Sequence, residues 1–589
     1  MNDFIFGTLS TAELRHKKSL AQREGIVHNH HREPRDPLPG LPMCVEFTAG
    51  PENEGNSAWL YWTVDGTEPG GRNGQMVQGF ATPMGCVELT WDVELWGYIR
   101  KFRGFIPGQP EGTIVRYRAS LVNEKQEECY ADGGAVSAVL VSNDPAPEWA
   151  QDAMLYQVFV DRFSPEEGNP WKQTQSLSGF YGGRIKGITQ KLGYIQESGF
   201  NTIWISPIFP SPSHHGYDAT DLFSIEPRLG SMQDFAELVE GAHQKGMRIL
   251  LDFVPNHISD QHPFFQDALK NPASPYRNWF TFLSWPDEYE TFFGVKELPQ
   301  MNLQNAEARQ YMIEAACFWL QQGVDGFRVD YAIGPVQEFW AEFRKATRKV
   351  NGNCWTFGEV VDPPDEQVAF SGLLDGCLDF LLLEAIRQTI AFEKWNAARF
   401  ASFLDRHEAY FPPGFSRPSF LDNHDMNRFL WAAEGEVQKL KLAALCQFTL
   451  GGMPVVYYGT EVGLSQERDV RQGTLGIPEE SRLPMIWGEK QNDDLRRYYQ
   501  ALAETRKELD CLRRGTRETV YCDDHLFVYQ RRSATSQALI LLNLGSEKQT
   551  YSLGLEGLQI RIKTGEVETF PANSSGEVVL GGWSGVIFA

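Results

Sequence analysis

The sequence contains no Cys-x-x-Cys pair, and its nine cysteines are odd in number and scattered from Cys44 to Cys522. That pattern argues against a disulfide framework. Several cysteines lie inside apolar runs, such as Cys317 in EAACFWL and Cys446 in ALCQFTL, as expected of buried free thiols in a reducing compartment. No stretch approaches the 18 or so consecutive apolar residues of a membrane span. The N-terminal MNDFIFGTLSTAELRHKK has neither the long apolar core nor the small-residue cleavage site of a secretory signal. Cytoplasm is therefore the expected location. Positive charge is scarce: 54 Lys and Arg stand against 77 Asp and Glu, a formal net charge of −23. The deficit argues against nucleic-acid and anionic-membrane partners, which attract basic patches. There is no solenoid repeat and no low-complexity tract.

At 589 residues the chain is too long for one core, so two to four domains are expected. An aromatic content of 13%, with 16 Trp, suits sugar-binding platforms and large cores alike. Residues 1–147 read as an N-terminal β-sandwich domain. CVEFTA, AWLYWTV, IVRYRASLV and VSAVLVS are short strand-like runs separated by Gly/Pro/Asn clusters. The HNHHREPRD stretch has no zinc-type spacing at His28, His30 and His31 and reads as a solvated loop. After a break at NDPAPEWA the pattern changes. Over 148–510, eight β-runs alternate with helical stretches, the expectation for a (β/α)8 TIM barrel. An aromatic-rich insertion follows the third strand, at 258–303, and a helix at 490–508 closes the barrel. Residues 511–589 return to short strands (HLFVYQRR, ALILLNL, GVIFA) and read as a C-terminal β-sandwich domain.

Three carboxylates carry most of the information. Asp330 in GFRVD, Glu359 in WTFGEV and Asp425 in FLDNHD each end a short apolar run. In a parallel barrel, residues at the C-terminal strand ends converge on one mouth. Acids gathered in one cleft repel one another, so such a cluster points to a reaction that needs it. Glycoside hydrolysis needs paired carboxylates and no cofactor.

The motifs resemble the alpha-amylase family of retaining glycosidases. DFVPNH (252–257), GFRVD (326–330), FGEV (357–360) and FLDNHD (420–425) look like that family's third-, fourth-, fifth- and seventh-strand motifs. GFNTIWISPIF with HGYDATD resembles the second-strand region, GGMPVVYYGTE the eighth, and LPQMN an extra motif near the end of the insertion. The plan is most similar to the neopullulanase, cyclomaltodextrinase and maltogenic amylase branch. That branch often carries a Trp soon after the fifth-strand Glu, where this chain has Val360 and Val361. The loop DRFSPEEGNP is shorter than the calcium-binding loop of some members.

The resemblance implies a nucleophile at Asp330, a general acid/base at Glu359 and a third acid at Asp425 that holds substrate hydroxyls. Read by itself, Asp330 could be a structural partner of Arg328, Glu359 a loop or capping residue, and Asp425 a helix N-cap. Arg328, two residues before Asp330, points to the same side of the strand and would keep it ionised. His257 and His424 look like sugar-hydroxyl binders and Tyr217 like a stacking platform. Asp218 is open between hydroxyl binding and loop support. Most insertion aromatics are assigned to packing. No metal ligand is assigned and no cofactor is required, although Asn256 resembles a calcium ligand and leaves a structural calcium open. The implied substrates are α-glucan oligosaccharides, cut at α-1,4 and perhaps α-1,6 links. A transglycosylase, isomerase or debranching enzyme on the same scaffold is the alternative, and a non-catalytic scaffold protein a more distant one. Branch members often dimerise through the N-terminal domain, so a homodimer is a further implication.

Overall fold

The computed structural model describes residues 11–472, 476–553, 557–570 and 576–589. The first ten residues, on which part of the signal-peptide reading rests, lie outside the described residues. Eight parallel strands form the central sheet. They are β1 (Leu155–Val158), β2 (Thr202–Ile205), β3 (Arg248–Phe253), β4 (Gly326–Val329), β5 (Trp355–Gly358), β6 (Gly376–Cys377), β7 (Ser419–Phe420) and β8 (Pro454–Tyr457). Their order is β6-β5-β4-β3-β2-β1-β8-β7. The sheet closes through a parallel bridge between Gly376 and Ser416. There the N–H groups of Cys377 and Asp379 donate to the carbonyls of Ser416 and Pro418.

The strands are short, apolar and buried on both faces, as parallel strands covered by helices must be. Helices Met232–Gln244, Ala306–Gln321, Gln337–Val350 and Asp493–Glu508 alternate with them. Ser231 with Asp234 forms a capping box at the first, and Asn305 and Asn492 cap the second and fourth. β6 is shorter than its apolar run suggests. Asp379 accepts from Leu382 N and caps a helix over Phe380–Ile386, which takes the rest of the run. Between β3 and Ala306 the chain forms a helix at Pro263–Lys270 and a ladder of Phe282–Ser284 with Glu288–Tyr289. The aromatics there pack mainly on one another: Phe264 stacks on Tyr276 at 4.0 Å and meets Trp279 edge-on at 5.3 Å.

The N-terminal strands form a nine-stranded sheet in which Phe80–Asp92 pairs first with Ser57–Thr63 and then with Gly97–Ile106. Two features depart from expectation. Residues Ala12–Glu24 form a helix, capped by Thr11 and rich in good helix formers, with no buried side chain. The histidine segment is no solvated loop. Ile26–Val27 and Arg32–Glu33 both pair with Met43–Ala49. That pairing turns His28 inward, where Nδ1 lies 2.7 Å from the Glu46 carbonyl and Nε2 3.0 Å from Tyr117 Oη. Burial pushes His28 down to about 3, so it stays neutral. The C-terminal five- and three-stranded sheets share a core of Val528, Leu541, Val586, Val578 and Leu580. Among the described residues no helix is long and apolar enough to cross a membrane.

Candidate active site

The site grows out of strand register. Asp252 on β3 pairs with Arg328 on β4, placing an acid and a guanidinium side by side inside the barrel. Both are fully buried. The ladder then runs past the strand ends: Asp330 N donates to the Phe253 carbonyl and Glu359 N to the Val329 carbonyl, each at 2.8 Å. This holds both acids level at the C-terminal rim.

Arg328 is the electrostatic hub. Its Nη1 lies 2.7 Å from Asp252 Oδ1 and 2.9 Å from Asp330 Oδ1, and its Nη2 lies 2.7 Å from Glu359 Oε1. Two buried carboxylates and the partly exposed Glu359 thus crowd one guanidinium. Burial raises Asp330 well above the usual carboxylate range, Arg328 opposes the shift, and Glu359, Asp252 and Asp425 reinforce it. Glu359 is raised by burial and by Asp425, again against Arg328. The pair therefore keeps a proton to higher pH than an isolated acid, so Arg328 orients Asp330 but, against the sequence expectation, does not outweigh burial to keep it ionised.

Asp425 differs. Burial would raise it, but His424 Nε2 lies 3.0 Å away and Arg482 Nη2 2.7 Å away, and together they hold it well below the usual range. His424 is fixed from three sides. Gln157 Nε2 lies 2.9 Å from Nδ1, Tyr217 Oη 2.6 Å from Nε2, and Arg482 Nε donates to its carbonyl. The Tyr217 ring stacks on His424 at 5.3 Å and its hydroxyl donates to Asp252 Oδ2, which also accepts from Trp204 Nε1.

The structure thus brings Asp330, Glu359, Asp425, Arg328, His424 and Tyr217 into one hydrogen-bonded and ion-paired group. His257 lies beside it, linked to Tyr331 by Phe292, which stacks on the imidazole at 4.5 Å and meets Tyr331 edge-on at 5.0 Å. Burial pushes His257 down to about 3, against a hydrogen bond to the Tyr217 backbone that favours the charged ring. Asp218 stands apart: its Oδ1 accepts from the hydroxyls of Ser211 and Ser213, a bracing contact within its own loop. The Asn256 carboxamide faces its neighbours closely. A Cβ on Gly334 would lie 2.0 Å from Oδ1, and Nδ2 is 3.3 Å from His257 Nδ1. Among the described residues no three His, Cys, Asp or Glu side chains are grouped to hold a metal ion.

Sequence reasoning left out Asp252, Arg482, Gln157 and Tyr331. Asp252 had a signal, as the lone acid inside the apolar run RILLDFV. Arg482 had none, since it enters from a distant loop. Tyr331 sits at φ 40°, a left-handed conformation that is uncommon for a bulky residue. Its N–H lies 3.3 Å from Glu359 Oε2. Such strain beside candidate catalytic groups is typical of functional sites.

An eight-stranded parallel barrel with acids gathered at its C-terminal rim has the layout of a barrel enzyme, whose active site lies at that face. The chain belongs to the alpha-amylase family of glycoside hydrolases: residues 157–504 match the family described as "Alpha amylase, catalytic domain". It is 37% identical to Alpha-amylase 2 of Dictyoglomus thermophilum over 79% of this chain and 80% of that protein. It is 34% identical to Neopullulanase 2 of Thermoactinomyces vulgaris over 69% of this chain and 72% of that protein. Among solved structures it is similar to a cyclic alpha-maltosyl-(1→6)-maltose hydrolase from Arthrobacter globiformis, with a TM-score of 0.67 and 29% identity, covering 76% of this chain and all of that one.

Proposed function

We propose that this enzyme is a retaining α-glucan hydrolase of the cyclomaltodextrinase/neopullulanase kind, cutting α-1,4 and also α-1,6 bonds in short or cyclic substrates. The observation that carries it is the single buried guanidinium of Arg328, bridging Asp330 on one nitrogen and Glu359 on the other. Retention needs two carboxyls about 5–5.5 Å apart, and a shared guanidinium supports that compact arrangement.

Asp330, hydrogen-bonded by Arg328 Nη1, is the nucleophile and forms a covalent bond to the anomeric carbon. The reaction needs the pair's shared proton on Glu359, which gives it to the departing oxygen while Arg328 Nη1 holds the charge on Asp330. Glu359 then takes a proton from the water that releases the sugar. Asp425, held ionised, accepts hydrogen bonds from sugar hydroxyls. His257 and the His424–Tyr217 stack serve the same sugar, the tyrosine ring meeting its C–H face. Asp218 keeps the Tyr217 loop in place. These roles use protein side chains and water alone. The nine free cysteines, and a similarity to the "Intracellular maltogenic amylase" of Bacillus subtilis (32% identity over 69% of this chain), support a cytoplasmic enzyme.

The test is a product survey with β-cyclodextrin, maltoheptaose, pullulan and amylopectin, with the anomer followed by NMR. Cyclodextrin and maltoheptaose should be cut with the α-anomer appearing first, while amylopectin resists. Linear chains released from amylopectin would make it a debranching enzyme instead. Longer oligosaccharides accumulating at high maltose would make it a transglycosylase. No cleavage of any α-glucan would end the reading.

The same proposal includes a homodimer. Val87, Leu89, Trp91, Val93, Trp96 and Tyr98 expose a continuous apolar strip on the Phe80–Ile106 hairpin, with Val93 at 70% and Trp96 at 79% exposure. A strip of that kind on a soluble domain marks an interaction surface. Light scattering should give twice the 66.8 kDa chain mass, and Trp96→Asp should shift it toward monomer. A strict wild-type monomer would remove the dimer from the proposal.

A further inference from the structure

Gln157 lies in β1, in register with Trp204 on β2 and Tyr457 on β8. Leu155, on the same face of the strand two residues earlier, joins Trp204 and Val455 in the apolar interior of the barrel. Gln157 is only 3% exposed, and its amide oxygen Oε1 is buried without a hydrogen-bond partner. A buried amide end left unsatisfied is destabilising, and an apolar side chain would fill the layer without that penalty. One contact sets the glutamine apart: its Nε2 lies 2.9 Å from His424 Nδ1. The strand that carries it is anchored from both sides. Tyr458 N donates to the Gln157 carbonyl at 2.9 Å, and the Tyr156 hydroxyl donates to the buried Glu461 at 2.8 Å.

The other ring nitrogen of His424 is already committed. Nε2 lies 3.0 Å from Asp425 Oδ2, and an ionised carboxylate can only accept, so Nε2 carries a hydrogen. Tyr217 Oη, 2.6 Å from Nε2, sends its own hydrogen to Asp252 Oδ2 and so also receives from the ring. Nδ1 is then either bare or protonated, and the hydrogen bond made there decides which. The remaining neighbours leave Nδ1 alone. Phe159 and Trp204 approach with their rings, and the Trp204 N–H is taken by Asp252. Ser481 and Arg482 donate to the His424 backbone carbonyl. Among the described residues Gln157 alone is hydrogen-bonded to Nδ1. An amide N–H donating there leaves Nδ1 bare, whereas a carboxylate in the same place would draw a second proton onto the ring.

We propose that Gln157 is a positioning residue that acts through His424: its amide fixes the imidazole as the Nε2–H tautomer, so that a sugar hydroxyl accepts from His424 and donates to Asp425. The proposal rests on the α-glucan reading above, which supplies that hydroxyl. The test begins on resting full-length enzyme, by nitrogen NMR of histidine-labelled protein, with the His424 signals identified by their absence from His424→Gln. Wild type should show a bare Nδ1 and a protonated Nε2. Gln157→Met, close to glutamine in size, should populate the other tautomer as well, and Gln157→Glu should protonate both nitrogens. With maltoheptaose, Gln157→Met should lower kcat/KM about tenfold or more. The same change made in a His424→Gln background should lower it less than about twofold, whereas a glutamine that only packs the barrel would lower both backgrounds alike. If Gln157→Met does not fold, Gln157→Glu carries both measurements. A protonated Nδ1 in wild type overturns the proposal. So does a His424 spectrum that both variants leave unchanged, or a loss in kcat/KM that is equal in the two backgrounds. If wild type cuts no α-glucan, the function reading fails, and the spectra still decide whether Gln157 sets the tautomer.

Discussion

Asp330→Asn should leave a folded protein that no longer turns over. Asparagine keeps the volume and a hydrogen-bond acceptor for Arg328 Nη1, so the packing at the rim has no reason to change. Arg328 keeps its contacts to Asp252 and Glu359, both at 2.7 Å. The loss is the anion that meets the anomeric carbon. With no covalent step available, kcat/KM should fall by ~10⁴-fold or more, about 5.5 kcal/mol of transition-state stabilisation. Stability should hold or rise, because Asp330 is raised by burial and by three neighbouring acids, and removing its charge relieves that repulsion. The companion measurement separates the two roles. A 4-nitrophenyl glycoside has a leaving group that departs without a proton. Glu359→Gln should therefore keep its first step with that substrate, whereas Asp330→Asn should lose it. Full activity in Asp330→Asn, or equal losses in both variants with the activated substrate, would mean the nucleophile is misassigned.

Much of this site was legible because barrel geometry converts sequence position into spatial position. GFRVD, FGEV and FLDNHD are distant in sequence, yet each closes a strand, and strand ends meet at one rim. The alternation of apolar runs and helical stretches gave the barrel for the same reason: its contacts are local and repeat. What stayed hidden depends on long-range placement. Arg482 reaches Asp425 from a loop after β8 that has no periodicity to betray it. The burial of His28 follows from two two-residue strands pairing with Met43–Ala49, and so short a pairing leaves no pattern. Asp218, which the sequence left open between hydroxyl binding and loop support, shows a different limit. It stands next to Tyr217 in sequence, but the turn sends its carboxylate to Ser211 and Ser213. The helix Ala12–Glu24 was readable from propensity and was passed over because the strands after it dominate the region.

The largest stability effect should come from Arg328→Met. The methionine fills much of the same space but leaves Asp252, Asp330 and Glu359 buried without the cation that all three touch. Removing one partner of a buried ion pair costs about 3–5 kcal/mol, chiefly through the charge left behind. For a domain this large that is a fall in Tm on the order of 10 °C. The sign of its pH dependence follows from the shifts. Asp330 and Glu359 are raised in the folded enzyme, so their contribution is fully present below the unfolded values near 3.8 and 4.5 and is lost as pH rises through the folded values. Taking away Arg328, which opposes both shifts, moves the folded values higher and deepens that loss. The gap in Tm between wild type and variant should therefore widen from pH 4.5 to pH 8, where an arginine serving only as packing would give a constant gap. Arg328→Lys should restore part of the stability and little of the activity. One ammonium can neutralise the cluster, but it cannot place separate nitrogens on Asp330 and Glu359, and the reaction depends on that division.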